Sequence, residues 1–96
     1  MDEKLKQALQ RVREELVELR RQAESEEGGF LLDCDLNPEM KSVVIEGDTA
    51  GLLHFASRLV YLAAKDVPGA HEHFDTTDEN GEDAPDQVVV YKWSPQ

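Results

Sequence analysis

The sequence predicts an α+β fold, in which a long N-terminal helix precedes the element order ββαββ. Three observations predict it: an apolar heptad pattern over residues 1–27, a broad apolar helical stripe over residues 52–64, and four short segments with the apolar patterns of strands. We therefore expect an N-terminal amphipathic heptad helix over residues 1–27 and a small α+β domain over residues 28–96.

The N-terminal helix is predicted from apolar residues that recur every three or four positions between good helix formers. Asp2 can cap its start, and Gly28-Gly29 can end it. Because such a narrow seam suits a partner helix better than a sheet, we expect the helix to pair with a second copy of the chain. The alternative, that it packs on its own domain, remains open. The predicted dimer contact comprises Leu5, Leu9, Val12, Leu16 and Leu19.

The four predicted strands lie at residues 30–36, 42–46, 70–76 and 87–93, and a helix capped by Asp48 joins the second to the third. The first and third strands alternate apolar and polar residues, whereas the second and fourth are apolar on both faces. We therefore expect a four-stranded, mostly antiparallel sheet in the order 1-2-4-3. The second helix should cover one face, and the N-terminal helix or a partner subunit should cover the other.

The charge of the chain argues against two classes of partner. Twenty-one acidic residues against ten Lys and Arg give a formal net charge of −11. Such a surface repels phosphate backbones and anionic lipid, so we expect neither nucleic acid nor membrane as a partner. It attracts basic proteins instead. The acidic excess is concentrated in residues 70–96, where seven acidic residues accompany a single base, Lys92.

A cytoplasmic location is predicted from the single cysteine and from the lack of targeting patterns. Cys34 has no second cysteine with which to form an internal disulfide, so a reducing compartment is the simpler expectation. The sequence also contains no apolar run long enough to span a membrane and no signal-peptide pattern.

Two histidines on one strand are the main candidates for chemistry. His71 and His73 should point the same way, as metal ligands can, and His54 could join them from the helix. A zinc site needs three or four ligands, and the flanking sequence contains no complete metal or catalytic motif. Cys34 alternates with apolar residues, so it should face the core. We therefore predict no catalytic residue, no cofactor and no metal, with His71, His73 and His54 as the alternative metal ligands.

The acidic segment between the third and fourth strands does not fit a calcium loop, because the first and twelfth positions would be Thr76 and Gln87. We interpret it as a solvated hairpin loop and a protein-binding contact. Tyr91 and Trp93 share one face of the fourth strand, where core packing is the favoured interpretation and an exposed interface anchor is the alternative.

One stretch of the sequence resembles a known family. It comprises Gly47-Asp48-x-x-Gly51-Leu52, the apolar helix ending at Leu62-Ala63-Ala64, Pro68-Gly69-x-His71-Glu72-His73-Phe74, and Val88-Val89-Val90. These segments resemble the immunity protein 32 family of bacterial polymorphic toxin systems, over about residues 43–91. The resemblance implies a protein that binds a cognate toxin made by the same cell and blocks it without chemistry of its own.

We therefore predict a non-enzymatic immunity protein that occludes a cognate toxin, itself basic, through an acidic surface. The alternatives are a dimeric interaction module that works through its helix, and a small metal-binding protein that uses His71 and His73. The predicted partner-binding residues are Glu72, Asp75, Asp78, Glu79, Glu82, Asp83 and Asp86.

Overall fold

The computed structural model describes residues 1–37, 39–77 and 83–93, and for residues 36, 75–77 and 83–87 it describes only the backbone. The α+β class and the order ββαββ after a long helix are confirmed. Within the described residues, no helix is long and apolar enough to cross a bilayer. In chain order, the elements are α1 (Glu3–Glu27), β1 (Leu32–Asn37), β2 (Ser42–Gly47), α2 (Thr49–Ala63), β3 (His71–Thr77) and β4 (Asp83–Tyr91).

Both ends of α1 follow the predicted capping. The Asp2 carboxylate accepts a hydrogen bond from the backbone N–H of Lys4, at 3.2 Å. Gly28 adopts the left-handed conformation, with φ at 83°, and its N–H donates to the carbonyl of Glu24 at 2.8 Å. A left-handed residue after the last turn is a common helix end that glycine adopts without a steric penalty.

α1 packs along α2 in the antiparallel direction. The Arg20 guanidinium donates to Nδ1 of His54 at 3.0 Å, and the Arg13 guanidinium lies 4.5 Å from the centre of the Tyr61 ring. The alternative stated above, packing of α1 on its own domain, is therefore what the structure shows. This packing uses only half of the heptad seam, because Leu5, Val12 and Leu19 stay 51%, 49% and 42% exposed, while Leu9, Leu16 and Ala23 are half-buried or buried.

The contact between α1 and α2 predicts a pH dependence of stability. Burial lowers the pKa of His54 below its ordinary 6.5, and the positive charges of Arg20 and Arg58 lower it further. Below pH 6.5 the unfolded chain therefore binds a proton at His54 more readily than the folded chain does. The stability that neutral His54 contributes is complete above pH 6.5 and is lost as the pH falls toward the pKa of the folded state.

We expect His54→Gln to remove this contribution, because an amide oxygen can still accept from Arg20 but does not titrate. The melting temperatures of the parent and of the variant are each measured at about pH 7.5 and at about pH 5.5, and the two decreases on acidification are compared. The variant should lose less stability on acidification. His73→Gln, on the exposed side of β3, is the matched control, and an equal loss in the His54 variant and the parent contradicts the prediction.

The strands form two antiparallel hairpins, β1–β2 and β3–β4. β1 and β3 lie side by side in parallel, but only two residue pairs join them, Cys34 with Thr76 and Asp35 with Thr77. The spatial order is β2-β1-β3-β4. The predicted order 1-2-4-3 is therefore wrong. Of the expected four-stranded, mostly antiparallel sheet, the two antiparallel hairpins are present, but the contact that joins them is short and parallel. The valine-rich strands lie at the edges, and the alternating strands lie at the centre.

A cluster of backbone contacts joins the start of α2 to the chain just before β1. The Asp48 carboxylate accepts hydrogen bonds from the N–H of Gly51 at 2.7 Å and of Leu31 at 3.1 Å, which lowers the pKa of Asp48. The Asp48 N–H in turn donates to the carbonyl of Leu31, at 3.2 Å. The first turn of α2 is thereby fixed to the residue before β1. The chain that leaves α2 then returns beside β1, not beside β2.

α2 covers one face of the strands, and no other described helix packs on the second face. Phe55 of α2 contacts Phe74 of β3, with ring centres 4.8 Å apart, and Arg58 pairs with Glu72. Cys34 on β1 is 1% exposed, so the predicted core position of its side chain is confirmed. Of the two expected covers for the second face, α1 is wrong, because α1 packs on α2, and a partner subunit stays a prediction.

Candidate functional site

The uncovered face of the strands is the candidate site. Cys34 on β1 and Glu72 and Phe74 on β3 point toward α2. Because side chains alternate along a strand, their neighbours in the sequence point the other way. The strand register extends this set to β2 and β4. We call it the open face, and it consists of Asp33, Asp35, Val44, Glu46, His71, His73, Val89 and Tyr91.

The half of the open face on β3 and β4 is aromatic. The His71 ring lies 4.8 Å from His73 and 5.0 Å from Tyr91, measured between ring centres. His71 is fixed in place because its Nδ1 donates to the carbonyl of Gly69, at 2.7 Å. Tyr91 is 65% exposed and Trp93 is 81% exposed. The favoured interpretation of Tyr91 and Trp93 as core residues is therefore wrong.

Lys92 shows on which side Trp93 lies. The ammonium of Lys92 donates to the carbonyls of Ala63 and Lys65 at the end of α2, and the distance to Ala63 is 2.9 Å. The N–H of Lys92 also continues the pairing of β4 with the chain before β3, through the carbonyl of Ala70 at 2.9 Å. Because Lys92 reaches toward the helices, Tyr91 and Trp93 on either side of it point the other way, and Trp93 therefore joins the open face as its ninth residue.

The half of the open face on β1 and β2 is acidic. Asp33 lies directly opposite Glu46, and Asp35 lies opposite Val44. Like charges directly opposite each other on neighbouring strands destabilise a sheet by roughly 0.2–1 kcal/mol. The fold does not itself explain why two carboxylates occupy this cross-strand position.

Glu72 does not belong to the open face. It is 5% exposed, it points toward α2, and its carboxylate is bound by the Arg58 guanidinium. The structure therefore buries this residue, and its predicted part in partner binding stays a prediction. The structure does not describe the side chains of the other predicted partner-binding residues. Only the backbone is described for Asp75, Asp83 and Asp86, and Asp78, Glu79 and Glu82 lie outside the described residues.

The structure brings two of the three histidines together. His71 and His73 share the open face, whereas His54 lies on α2, bound to Arg20 of α1 and 5.2 Å from the Phe30 ring. α2 lies against the opposite face of the strands, so His54 cannot complete a site with the other two. Among the described residues, no three His, Cys, Asp or Glu side chains converge in a way that could hold a metal ion.

The sequence contained a signal for the acidic half of the open face. The alternation in residues 30–36 places Asp33 and Asp35 on a solvent-facing side, but the acidic loop, with more carboxylates, drew the functional interpretation away from them. The opposition of Asp33 and Glu46 depends on the register of the hairpin, which residue patterns alone do not fix. The exposure of Trp93 depends on the strand order, because β4 is an edge strand.

Comparison with known proteins gives one match. The family model described as Immunity protein 32 matches residues 42–92, which is just over half of the chain. The matched region begins at β2 and includes α2, β3 and β4, but not α1 or β1. No curated protein and no solved structure matches the chain.

Proposed function

The chain belongs to the immunity protein 32 family, and we propose that it is a non-enzymatic immunity protein whose open face binds and occludes a cognate bacterial toxin. The toxin is a basic protein, and neutralisation takes place in the cytoplasm of the cell that makes both. The observation that carries this proposal is the open face itself: an uncovered sheet surface with exposed aromatic anchors beside opposed carboxylates.

The aromatic half supplies the contacts that hold a partner in place. Trp and Tyr are enriched among the residues that dominate binding energy, because each buries a large area while fixing few torsions. Trp93 and Tyr91 are exposed and adjacent, and His71 packs against the Tyr91 ring. A partner surface that covers them removes a large apolar area from water. We therefore expect these residues to set the lifetime of the complex.

The acidic half supplies attraction and orientation. Asp33, Asp35 and Glu46 project from the open face, and no Lys or Arg stands among its residues as defined above. A surface of one sign accelerates encounter with a partner of the opposite sign, in a manner that salt weakens. The predicted contact with the acidic loop, Asp78, Glu79 and Glu82, belongs to the same proposal, because it adds negative charge in the segment between β3 and β4.

The proposal is tested with the candidate toxin encoded by the neighbouring gene. Co-expression of the chain should protect bacteria from this toxin, and the purified proteins should form a complex. We expect Trp93→Ala and Tyr91→Ala each to raise the dissociation constant about tenfold or more, mainly through faster dissociation. Met40→Ala is the matched control, because Met40 is 75% exposed and lies in the turn after β1.

Glu46→Gln tests the acidic half of the open face in two measurements, stability and association rate, whose expected changes have opposite signs. Removing one of two opposed charges should stabilise the free protein by a few tenths of a kcal/mol. It should also slow association with the toxin and weaken the salt dependence of the association rate. Full protection by a chain that carries Trp93→Ala, Tyr91→Ala and Glu46→Gln together would remove the open face from the proposal.

A further inference from the structure

A row of apolar side chains along α1 remains exposed after α1 has packed on α2. Leu5, Val12 and Leu19 recur every seven residues and are between 42% and 51% exposed. We call them the exposed heptad row. They are one half of a heptad pattern whose other half packs on α2, and the row extends over about 21 Å of helix.

The exposed heptad row lies on the side of the helix pair away from the sheet. Arg20 leans toward Phe30, the residue two positions before β1, with its guanidinium 5.8 Å from the ring centre. Leu19 lies about 100° around α1 from Arg20. It is therefore on the other side of the line that joins the axes of α1 and α2. Leu53 and Val60 of α2 are half-buried and lie on that same side by helical periodicity. The resulting apolar surface spans both helices and is separate from the open face.

The charges that flank the exposed heptad row are divided along its length. On the flank away from α2, Lys4 and Arg11 are in the N-terminal half, and Glu15 and Glu18 are in the C-terminal half. If a second α1 runs antiparallel with Val12 opposite Val12, then Leu5 lies opposite Leu19. This arrangement brings Lys4 and Arg11 of each copy close to Glu18 and Glu15 of the other. A parallel two-fold pair would instead bring this flank of each copy beside the flank that packs on α2 in the other copy.

We infer that the exposed heptad row binds a second copy of this chain, with the two α1 helices antiparallel and Val12 at the two-fold axis. A surface that is complementary to itself under a two-fold rotation is the basis of most homodimers. α1 is also the part of the chain best suited to self-association, since residues 1–27 contain six of the ten bases and are nearly neutral. The rest of the chain carries most of the negative charge and repels its own copy.

Sedimentation of the full chain tests the dimer. The unmodified protein should sediment as a dimer at high micromolar concentration, and Val12→Arg should convert it to a folded monomer with unchanged helical circular dichroism. Met40→Arg is the matched control, because it adds the same charge at an exposed apolar position outside α1. Lys4→Glu with Arg11→Glu should also give a monomer, which mixing with the Glu15→Lys and Glu18→Lys protein should restore to a dimer. A monomeric unmodified protein overturns the inference.

Cross-linking tests the antiparallel arrangement. Under mild oxidation, Val12→Cys should form a disulfide with its own copy, because the two-fold axis brings the two sulfurs within bonding distance. Leu5→Cys alone should not cross-link, whereas a mixture of Leu5→Cys and Leu19→Cys should. Cross-linking of Leu5→Cys alone overturns the antiparallel pairing. The unmodified protein is the control, because its only thiol, Cys34, is 1% exposed.

This inference does not depend on toxin binding. The open face and the exposed heptad row are separate surfaces, so a monomeric Val12→Arg protein should still bind the toxin with unchanged affinity per chain. A Val12→Arg protein that loses the dimer and keeps toxin binding would separate the two proposals. A Trp93→Ala protein that loses toxin binding and keeps the dimer would separate them in the same way.

Discussion

Replacing Gly51 with alanine is expected to destabilise the fold by about 3 kcal/mol or more. A Cβ at this position would overlap the carbonyl oxygen of Leu31 and lie 2.7 Å from the Leu31 carbonyl carbon and 3.1 Å from the Asp48 carboxylate. The obstacle is backbone, which cannot rotate away as a flexible side chain can. In an exposed helix the same change stabilises by roughly 1 kcal/mol, so here the steric term must outweigh a favourable propensity term.

The expected loss is a large part of the stability of a domain of this size, which is typically about 5–15 kcal/mol. Urea denaturation measures this loss as a lower midpoint of unfolding, with an unchanged dependence of the unfolding free energy on urea concentration. Thr49→Ala is the matched control, because Thr49 is exposed in the same first turn of α2 and alanine favours the helix there. A Gly51→Ala midpoint equal to that of the control would show that the approach of residue 31 to α2 is not as close as described.

Gly51 also explains part of the sequence pattern that resembles the family. Gly47, Asp48 and Gly51 are the residues at which β2 ends, α2 begins and the chain before β1 crosses the helix end. A Cβ on Gly47 would lie 3.0 Å from the same carbonyl oxygen of Leu31. The motif is therefore a packing requirement. The sequence predicts the Asp48 cap because capping is local, but it does not predict the contact with Leu31, which is seventeen residues away.

The strand order could not be predicted either, because it depends on the pairing of β1 with β3, which are far apart in the sequence. Residues 43–45 and 88–90 are apolar on both faces, a pattern that is typical of central strands. The structure places both segments in edge strands, with β3 beside β1. Val44 is 40% exposed at such an edge and lies on the open face, whereas Val43 is 52% exposed and lies on the side of the sheet that faces α2. Part of the apolar signal thus reflects the proposed binding surface and not the core.

The elements themselves could be predicted because their signals are local. The heptad pattern, the Asp2 and Asp48 caps and the Gly28 stop place both helices correctly. Which half of the heptad seam packs within the chain could not be predicted. That depends on α2 supplying small residues, Ala50 and Ser57, at buried positions of α2. The spacing of the apolar residues alone does not show whether α1 packs on a helix of the same chain or on a helix of a second copy.

Removing Arg58 is expected to destabilise the fold by about 2 kcal/mol, because it leaves the Glu72 carboxylate nearly buried without its charged partner. The Glu72 side chain is 6% exposed, and it lies between β3 and α2. A fully buried pair that loses one partner typically costs roughly 3–5 kcal/mol. The smaller value is expected here because the Arg58 side chain is 45% exposed, so water can reach the carboxylate once the guanidinium has gone.

The double variant Arg58→Leu with Glu72→Leu distinguishes a cost of burial from a favourable pair. Two apolar residues of similar size leave no buried charge, so the double variant should be more stable than Arg58→Leu alone and close to the unmodified protein. Urea denaturation of both single variants, the double variant and the parent gives the coupling energy. Arg21→Leu is the control for loss of an arginine, because the Arg21 side chain is 67% exposed in an ion pair within α1.

The same four proteins decide the role of Glu72 in recognition. Glu72 points toward α2, on the side of β3 opposite to His71 and His73, so its replacement should change stability and leave toxin affinity unchanged wherever the protein remains folded. An affinity loss in the folded double variant would place Glu72 in the toxin contact and require the helix side of β3 to open on binding. Unchanged affinity, beside a loss in the Trp93→Ala protein, assigns recognition to the opposite side of the sheet.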